Sequence, residues 1–285
     1  MRLGVLADLH WSASPGVSAH WHAPYDFDGL AARCAATVDA LVAHGCDLLV
    51  VAGDLTHEGD QASCTAALDC VLSVSPIPVA VVEGNHDVPL DHALVPRRTD
   101  VRDGWRRAEA VADEHLVALG AVGLGRDGGW ARDRGPGPAP GHCLATVVVS
   151  HFPLVPHAER LADAGLPWPG ELADRDLLLG QLAATCTPTV VISGHVHVRD
   201  ATRHGSVLQV YVPALVERPH EAAVVDVDPF GGVVRCTRIG SGDAVARRGA
   251  EPWLLAPADE QWAFAGRSWI RDEVGAARRP VLAEA

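Results

Sequence analysis

Short, unbroken apolar runs alternate along the chain with longer stretches in which apolar residues recur every three or four positions. Leu3 to Ala7 reads as a strand. Asp28 to His44 follows, with Leu30, Cys34, Val38, Leu41 and Val42 at helical spacing. Asp47 to Ala52 is apolar after its first residue, as expected of a strand covered on both faces. Asp60 to Val74 reads as a second helix, stopped ahead of Pro76, and Pro78 to Val82 as a third strand. This β-α-β-α-β rhythm predicts an α/β fold with parallel strands and right-handed crossovers.

Farther on, the pattern predicts one helix from Arg102 to Leu119 and a Gly/Pro-rich loop from Gly123 to Gly141. A strand from Leu144 to Ser150, a helix from Glu171 to Thr185 and a strand from Thr189 to Ser193 come next. Val207–Val212, Ala222–Val227 and Val233–Ile239 are short and separated by turns, which predicts an antiparallel second sheet. Trp253, Trp262, Trp269 and Ile270 lie around an expected helix near the end. The expectation is one domain over residues 1–250, with a helical extension at 251–285 packed on the core or on the partner of a homodimer.

Composition narrows the function classes. The chain has 285 residues, 48% of them hydrophobic, enough for a sizeable core. No segment reaches the length of an uncharged membrane-spanning helix. No basic stretch leads into a long apolar run at the N-terminus, and a cleaved leader would remove Asp8, so the expected location is cytoplasmic. The net charge is −13, from 23 basic and 36 acidic residues, and every basic residue is an arginine. Such a surface repels polyphosphate, which argues against long nucleic acid as a partner. The seven cysteines have no CxxC spacing and read as reduced thiols.

The candidate chemistry lies at the ends of the predicted strands. Five segments stand there: Asp8-Leu9-His10, Gly53-Asp54, Gly84-Asn85-His86-Asp87, Ser150-His151 and Gly194-His195-Val196-His197. Residues two apart in an extended segment share a side, so Asp8 and His10 can reach one ion, as can His195 and His197. The Asp54 carboxylate can bridge two ions, and Asn85 and His151 add an amide oxygen and an imidazole. Two divalent ions against two carboxylates leave about +2, which suits an anionic substrate such as a phosphate ester. Histidine-rich ligation favours Mn, Fe, Co, Ni or Zn over Mg or Ca. Any one of these motifs alone would be an ordinary strand-end cluster; five in this order, each after a strand, is the informative signal.

In this order the motifs resemble those of calcineurin-like metallophosphoesterases, from Asp8 to His197. Gly53-Asp54-Leu55-Thr56-His57-Glu58-Gly59 and His151-Phe152-Pro153 are similar to the cyclic-nucleotide phosphodiesterase-like branch. The resemblance implies a four-layer α/β/β/α sandwich of two mixed sheets flanked by helices. It implies one divalent transition-metal ion on Asp8, His10, Asp54 and His197, and a second on Asp54, Asn85, His151 and His195. Two such ions at about 3.5–4 Å would share a hydroxide that attacks phosphorus. His86 is outside that ligand set and is expected to assist the leaving group, with Asp87 either orienting it or capping nearby amides.

On the substrate side, Trp21, His22 and Tyr25 sit in the segment after the first motif. They can stack on a base or pin their own loop. His57 can line the pocket or support it from behind. The Arg97, Arg98, Arg102, Arg106 and Arg107 cluster reads as a solvated helix face ahead of a phosphate fork. The expected reaction is hydrolysis of a small phosphodiester. A phosphomonoesterase of nucleotides or sugar phosphates is the alternative, a repair-type nuclease is disfavoured by the charge, and a non-catalytic scaffold is the reading from another class. No membrane partner is expected.

Overall fold

The computed structural model describes residues 1–14, 16–87, 99–123, 141–240 and 248–272. Its first sheet forms from the predicted parallel unit. Strands β1 (Arg2–Leu6), β2 (Leu48–Ala52) and β3 (Val79–Val82) pair in parallel, with Val5 opposite Val50 and Val51 opposite Val81. Helices α1 (Leu30–Ala43) and α2 (Gln61–Val74) connect them. Asp60 caps α2 by accepting a hydrogen bond from the Ser63 amide, which satisfies one of the donors left open at a helix start. The buried residues Leu30, Cys34, Val38 and Leu41 of α1 and Cys64, Leu68 and Val71 of α2 pack against one face of this sheet.

A second sheet holds β4 (Val117–Val122), β5 (Ala145–Ser150), β6 (Thr189–Ser193), β7 (Asp200–His204) and β8 (Val207–Tyr211) in the order β4-β5-β6-β8-β7. All neighbours pair in parallel except β7, which forms an antiparallel hairpin with β8. The two sheets face each other across a core of Leu3, Val5, Val50, Val147, Val149, Val190, Ile192 and Leu208. Between β5 and β6 come the short helices α4 (Ala158–Asp163) and α5 (Arg175–Ala184); Leu178, Leu179 and Leu182 of α5 cover the outer face of the second sheet. Two mixed sheets flanked by helices are thus the architecture that the resemblance implied. Among the described residues no helix is long and apolar enough to cross a membrane.

Three expectations are corrected. The single helix from Arg102 to Leu119 is instead α3 (Thr99–Glu114) followed by β4. Leu116 takes a φ of 57°, which ends the helix, and the apolar residues after it pair with β5. Trp105 anchors α3 to the first sheet by donating to the Val81 carbonyl at 2.8 Å, while Ala108 and Ala112 reach the inter-sheet core. Next, the late strands do not form a separate antiparallel sheet. β8 joins β6, whereas β9 (Glu221–Asp228) and β10 (Val233–Gly240) extend the first sheet from β1.

The third correction concerns the end of the chain. No helix forms between residues 251 and 272; β11 (Asp259–Ala265) and β12 (Ser268–Arg271) lengthen the first sheet to seven strands. Glu260, Trp262 and Phe264 alternate along β11, the period of a strand. Trp262 and Trp269 enter the core between the sheets, and the Trp269 indole donates to the Ser206 carbonyl at 2.9 Å. Residues 273–285, residues 124–140 of the expected Gly/Pro-rich loop, and Arg97 and Arg98 lie outside the described residues. If the Trp-bearing strands are core, Trp269→Ala should lower unfolding free energy by about 3–5 kcal/mol. Urea denaturation checks this, and a loss under 1 kcal/mol would mark an accessory segment.

Candidate metal centre

Strands β1, β2, β3, β5 and β6 all run in the same sense within their sheets, so their carboxyl ends can converge. The five motif segments follow those ends. The loops after β1 and β2 stay tied to each other: the His10 amide donates to the Asp54 carbonyl at 2.8 Å and the Trp11 amide to the Leu55 carbonyl at 2.7 Å. These segments are not extended as expected: Asp8, His10, Asp54, His195 and His197 all take left-handed φ values between 46° and 67°. Side chains that would alternate along a strand are thereby swung toward one point, at a cost of about 1–2 kcal/mol per residue. Gly84 and Gly194 let the loops close: a Cβ on Gly84 would collide with Asp54, and one on Gly194 with the Asp8 carboxylate.

Two donor groups result. In the first, His10 Nε2 lies 3.3 Å from His197 Nε2 and 3.5 Å from Asp54 Oδ2, while His197 Nε2 lies 3.4 Å from Asp8 Oδ1. In the second, His151 Nε2 lies 3.0 Å from Asn85 Oδ1 and 3.3 Å from Asp54 Oδ2. Asp54 belongs to both. Atoms bound to one ion at about 2.0–2.2 Å sit about 3–3.5 Å apart, so the spacing fits a cation in each group.

The hydrogen bonds behind the donors test that fit. His151 Nδ1–H donates to the Ala52 carbonyl at 3.0 Å, and His197 Nδ1–H donates to Glu217 at 2.7 Å. Each ring thus presents Nε2 inward, as an imidazole ligand held by an outer partner does. His195 Nε2 is buried without any hydrogen-bond partner. The Asp8 carboxylate accepts from the His195 amide at 3.0 and 3.1 Å, which joins the loops of the two sheets.

Electrostatics separate the imidazoles into two kinds. Burial, with neighbouring imidazoles adding to it, holds His10 and His195 well below the ordinary histidine range, so both are neutral lone-pair donors. His151 and His197 are equally buried, which by itself opposes protonation. Asp54 and Asp8 nonetheless push His151 up to about 9, and Asp8 with Glu217 pushes His197 up to about 10. In the absence of ions, protons balance the buried carboxylates.

The remaining expected residues have distinct places. The His86 amide donates to Asp54 at 2.9 Å, and its ring donates from Nδ1–H to the His57 carbonyl at 2.7 Å. The His57 ring stacks on that of His86 at 5.4 Å, and His10, His57 and His86 bring nitrogens within 4.8 Å of one another. Asp87 does not orient His86. Its carboxylate accepts from the amides of Leu55, Thr56 and Gly84 and from the Thr56 hydroxyl, at 2.8–3.1 Å. It staples the second motif to the third, and burial together with Asp54 raises its pKa to about 6.

Tyr25 faces the site, its ring 5.0 Å from His10 and 6.0 Å from His197. His22 is engaged elsewhere, donating to the Val196 carbonyl at 3.0 Å and stacking on Trp253 at 5.2 Å. Trp21 sits beside His22, turned to solvent. Arg102, Arg106 and Arg107 are exposed on α3, as a solvated face should be. Sequence reasoning missed Glu217 and Phe152 as site residues. The Phe152 ring lies 4.0 Å from that of His195. A signal for Glu217 was present: a carboxylate directly after the apolar run Ala214-Leu215-Val216.

A family profile described as calcineurin-like phosphoesterase matches residues 1–199. The chain belongs to this family. It is by family a metal-dependent phosphoesterase, and the family implies divalent metal ions. Among solved structures, a dimetal phosphatase from Danio rerio aligns with a TM-score of 0.59 at 13% identity, covering 86% of this chain and 97% of that one. A phosphoesterase from E. coli aligns over 85% of this chain and all of its own, at 14% identity and a TM-score of 0.37. At 13% identity the likeness to the Danio rerio phosphatase speaks for the fold. No curated protein is significantly similar in sequence.

The raised imidazoles make the centre pH-dependent. An imidazole whose folded pKa exceeds its unfolded value of about 6.5 stabilises the fold below that value and loses the contribution as pH rises through the folded pKa. Metal-free protein should therefore lose stability as pH climbs toward about 9 to 10, the values for His151 and His197. Metal affinity should rise over the same interval, because a bound ion displaces those protons. Thermal melts with chelator, and calorimetric Mn²⁺ titrations in buffers of different ionisation enthalpy, check both; affinity that is flat from neutral to alkaline pH would contradict the assignment.

Proposed function

We propose that the chain hydrolyses a small phosphodiester, such as a cyclic nucleotide, at a centre of two divalent transition-metal ions. The observation that carries this is the sharing of Asp54 between two donor groups of metal-type spacing. One ion would be held by Asp8, His10, Asp54 and His197, the other by Asp54, Asn85, His151 and His195. When bound, the ions supply Lewis-acid stabilisation of phosphoryl oxygens and a nucleophile active at neutral pH.

The chain's own residues do the rest. His86 Nδ1–H is committed to the His57 carbonyl, so a proton given to a leaving oxygen would come from Nε2 of the ring protonated on both nitrogens. Asp87 fixes the two loops that carry Asp54 and Asn85 through its amide contacts. The half-buried Tyr25 and Phe27 border the His10 and His57 side, and Phe152 borders the His195 side. Aromatic rings on both flanks favour a substrate with a flat or apolar group beside the phosphate. A phosphomonoester is the second reading, favoured by the stacked His57 and His86 imidazoles, which could receive the additional charge. The seven free cysteines agree with a cytoplasmic location.

Metal-loaded protein should cleave bis(p-nitrophenyl) phosphate with a higher kcat/KM than p-nitrophenyl phosphate. The reverse order would select the monoester reading, and no turnover of either by protein carrying two ions would favour a scaffold. His86→Ala should keep both ions and lose roughly 10²–10⁴-fold in kcat. Unchanged turnover, or loss of metal, would remove His86 from the leaving-group role.

A further inference from the structure

We propose that Glu217 is a positioning residue that holds the segment Gly16–Asp28 and the ligand-type His197 as one unit, so that metal loading tightens the loop over the site. The proposal rests on the dinuclear reading above. Glu217 is 1% exposed and lies in the turn region before β9. One carboxylate oxygen accepts from His197 Nδ1–H at 2.7 Å, and the other accepts from the Ala23 amide at 2.9 Å. The backbone repeats the connection: Tyr25 forms an antiparallel bridge with Glu217, and the Asp26 amide donates to the Val216 carbonyl at 2.8 Å.

The two contacts join a ligand-type imidazole to the loop that carries Tyr25. His197 points its Nε2 at Asp8 and His10. The loop held by Ala23 carries Tyr25, the ring that faces His10 and His197. A cation on Nε2 requires the proton to stand on Nδ1, the tautomer that donates to Glu217. Ion binding therefore fixes the ring that Glu217 links to the Ala23 amide. By reciprocity, anything that loosens the loop must weaken the ion at His197. Glutamine breaks this arrangement because it offers one oxygen and one NH₂ group, and so accepts from only one of the two donors.

Chymotrypsin digestion of the full chain tests the link, because Trp21, Tyr25 and Phe27 place aromatic cleavage sites inside the segment. Mass spectrometry locates the cuts, and metal analysis counts Mn²⁺ in each sample. In wild-type protein, loading with Mn²⁺ should slow cleavage within Gly16–Asp28 by on the order of tenfold relative to chelated protein. In Glu217→Gln the protection should vanish, whether both ions remain or one is lost. Glu217→Asp keeps the charge on a shorter arm and should give intermediate protection; it carries the test if the glutamine variant does not fold. Loaded wild-type protein that is cut as fast as chelated protein would overturn the proposal, as would full protection in Glu217→Gln. Wild-type protein that binds no Mn²⁺ would instead overturn the dinuclear reading, and this inference with it.

Discussion

Two buried carboxylates, Asp8 and Asp54, stand where the ends of the two sheets meet, and the arrangement of that whole edge follows from satisfying them. Each is almost fully removed from water. An isolated buried carboxylate costs several kcal/mol, so neighbouring groups must supply compensating charge or hydrogen bonds. Asp8 takes the amide of His195 from the opposite sheet, and Asp54 takes the amide of His86 from the adjoining loop. The imidazoles of His151 and His197 lean on the same two carboxylates. Asp54 is held well below the ordinary carboxylate range: burial opposes this, but His151 and the other imidazoles outweigh it. The hydrogen bonds to these carboxylates thus hold the loops in the positions that bring the donor groups together.

The backbone carries the complementary cost. Five ligand-type residues occupy left-handed conformations, a pattern concentrated at this edge. A loop that simply continued its strand would spread its side chains to both faces. The inward turn requires glycine beside it, as Gly84 and Gly194 illustrate. Asp87 then locks the turn by accepting three amides from two motifs. The strain is local and the restraint is distributed, which is how a strained site persists in an otherwise ordinary α/β fold.

The donors themselves were legible in the sequence because chemistry and order both mark them: an Asp, Asn or His directly after a β-branched run has few reasons to be there. The first three strands and two helices were legible because their periodicity is unambiguous. What was not legible depended on groups distant in the chain. Nothing near Asp87 distinguishes a carboxylate aimed at His86 from one collecting amides thirty residues earlier. Glu217 acquires its meaning only when β9 lies beside β1 and brings its preceding turn against His197. The Trp-rich end misled for a different reason: its apolar residues fit a helix as well as a strand until the pairing of β11 with β10 selects the two-residue period.

The position of β1 has a consequence for how the molecule can be divided. The family match ends at residue 199, yet β1 is flanked by β2 on one side and by β9 on the other. Cutting the chain at that boundary would strip β1 of half its ladder and leave a long apolar edge open to any strand that met it. It would also remove β8, the neighbour of β6, and with it one wall of the inter-sheet core. The region that carries the recognisable motifs is therefore not a module that could be transplanted by itself; the last third of the chain, which bears none of them, is the buttress that makes the first strand an interior one.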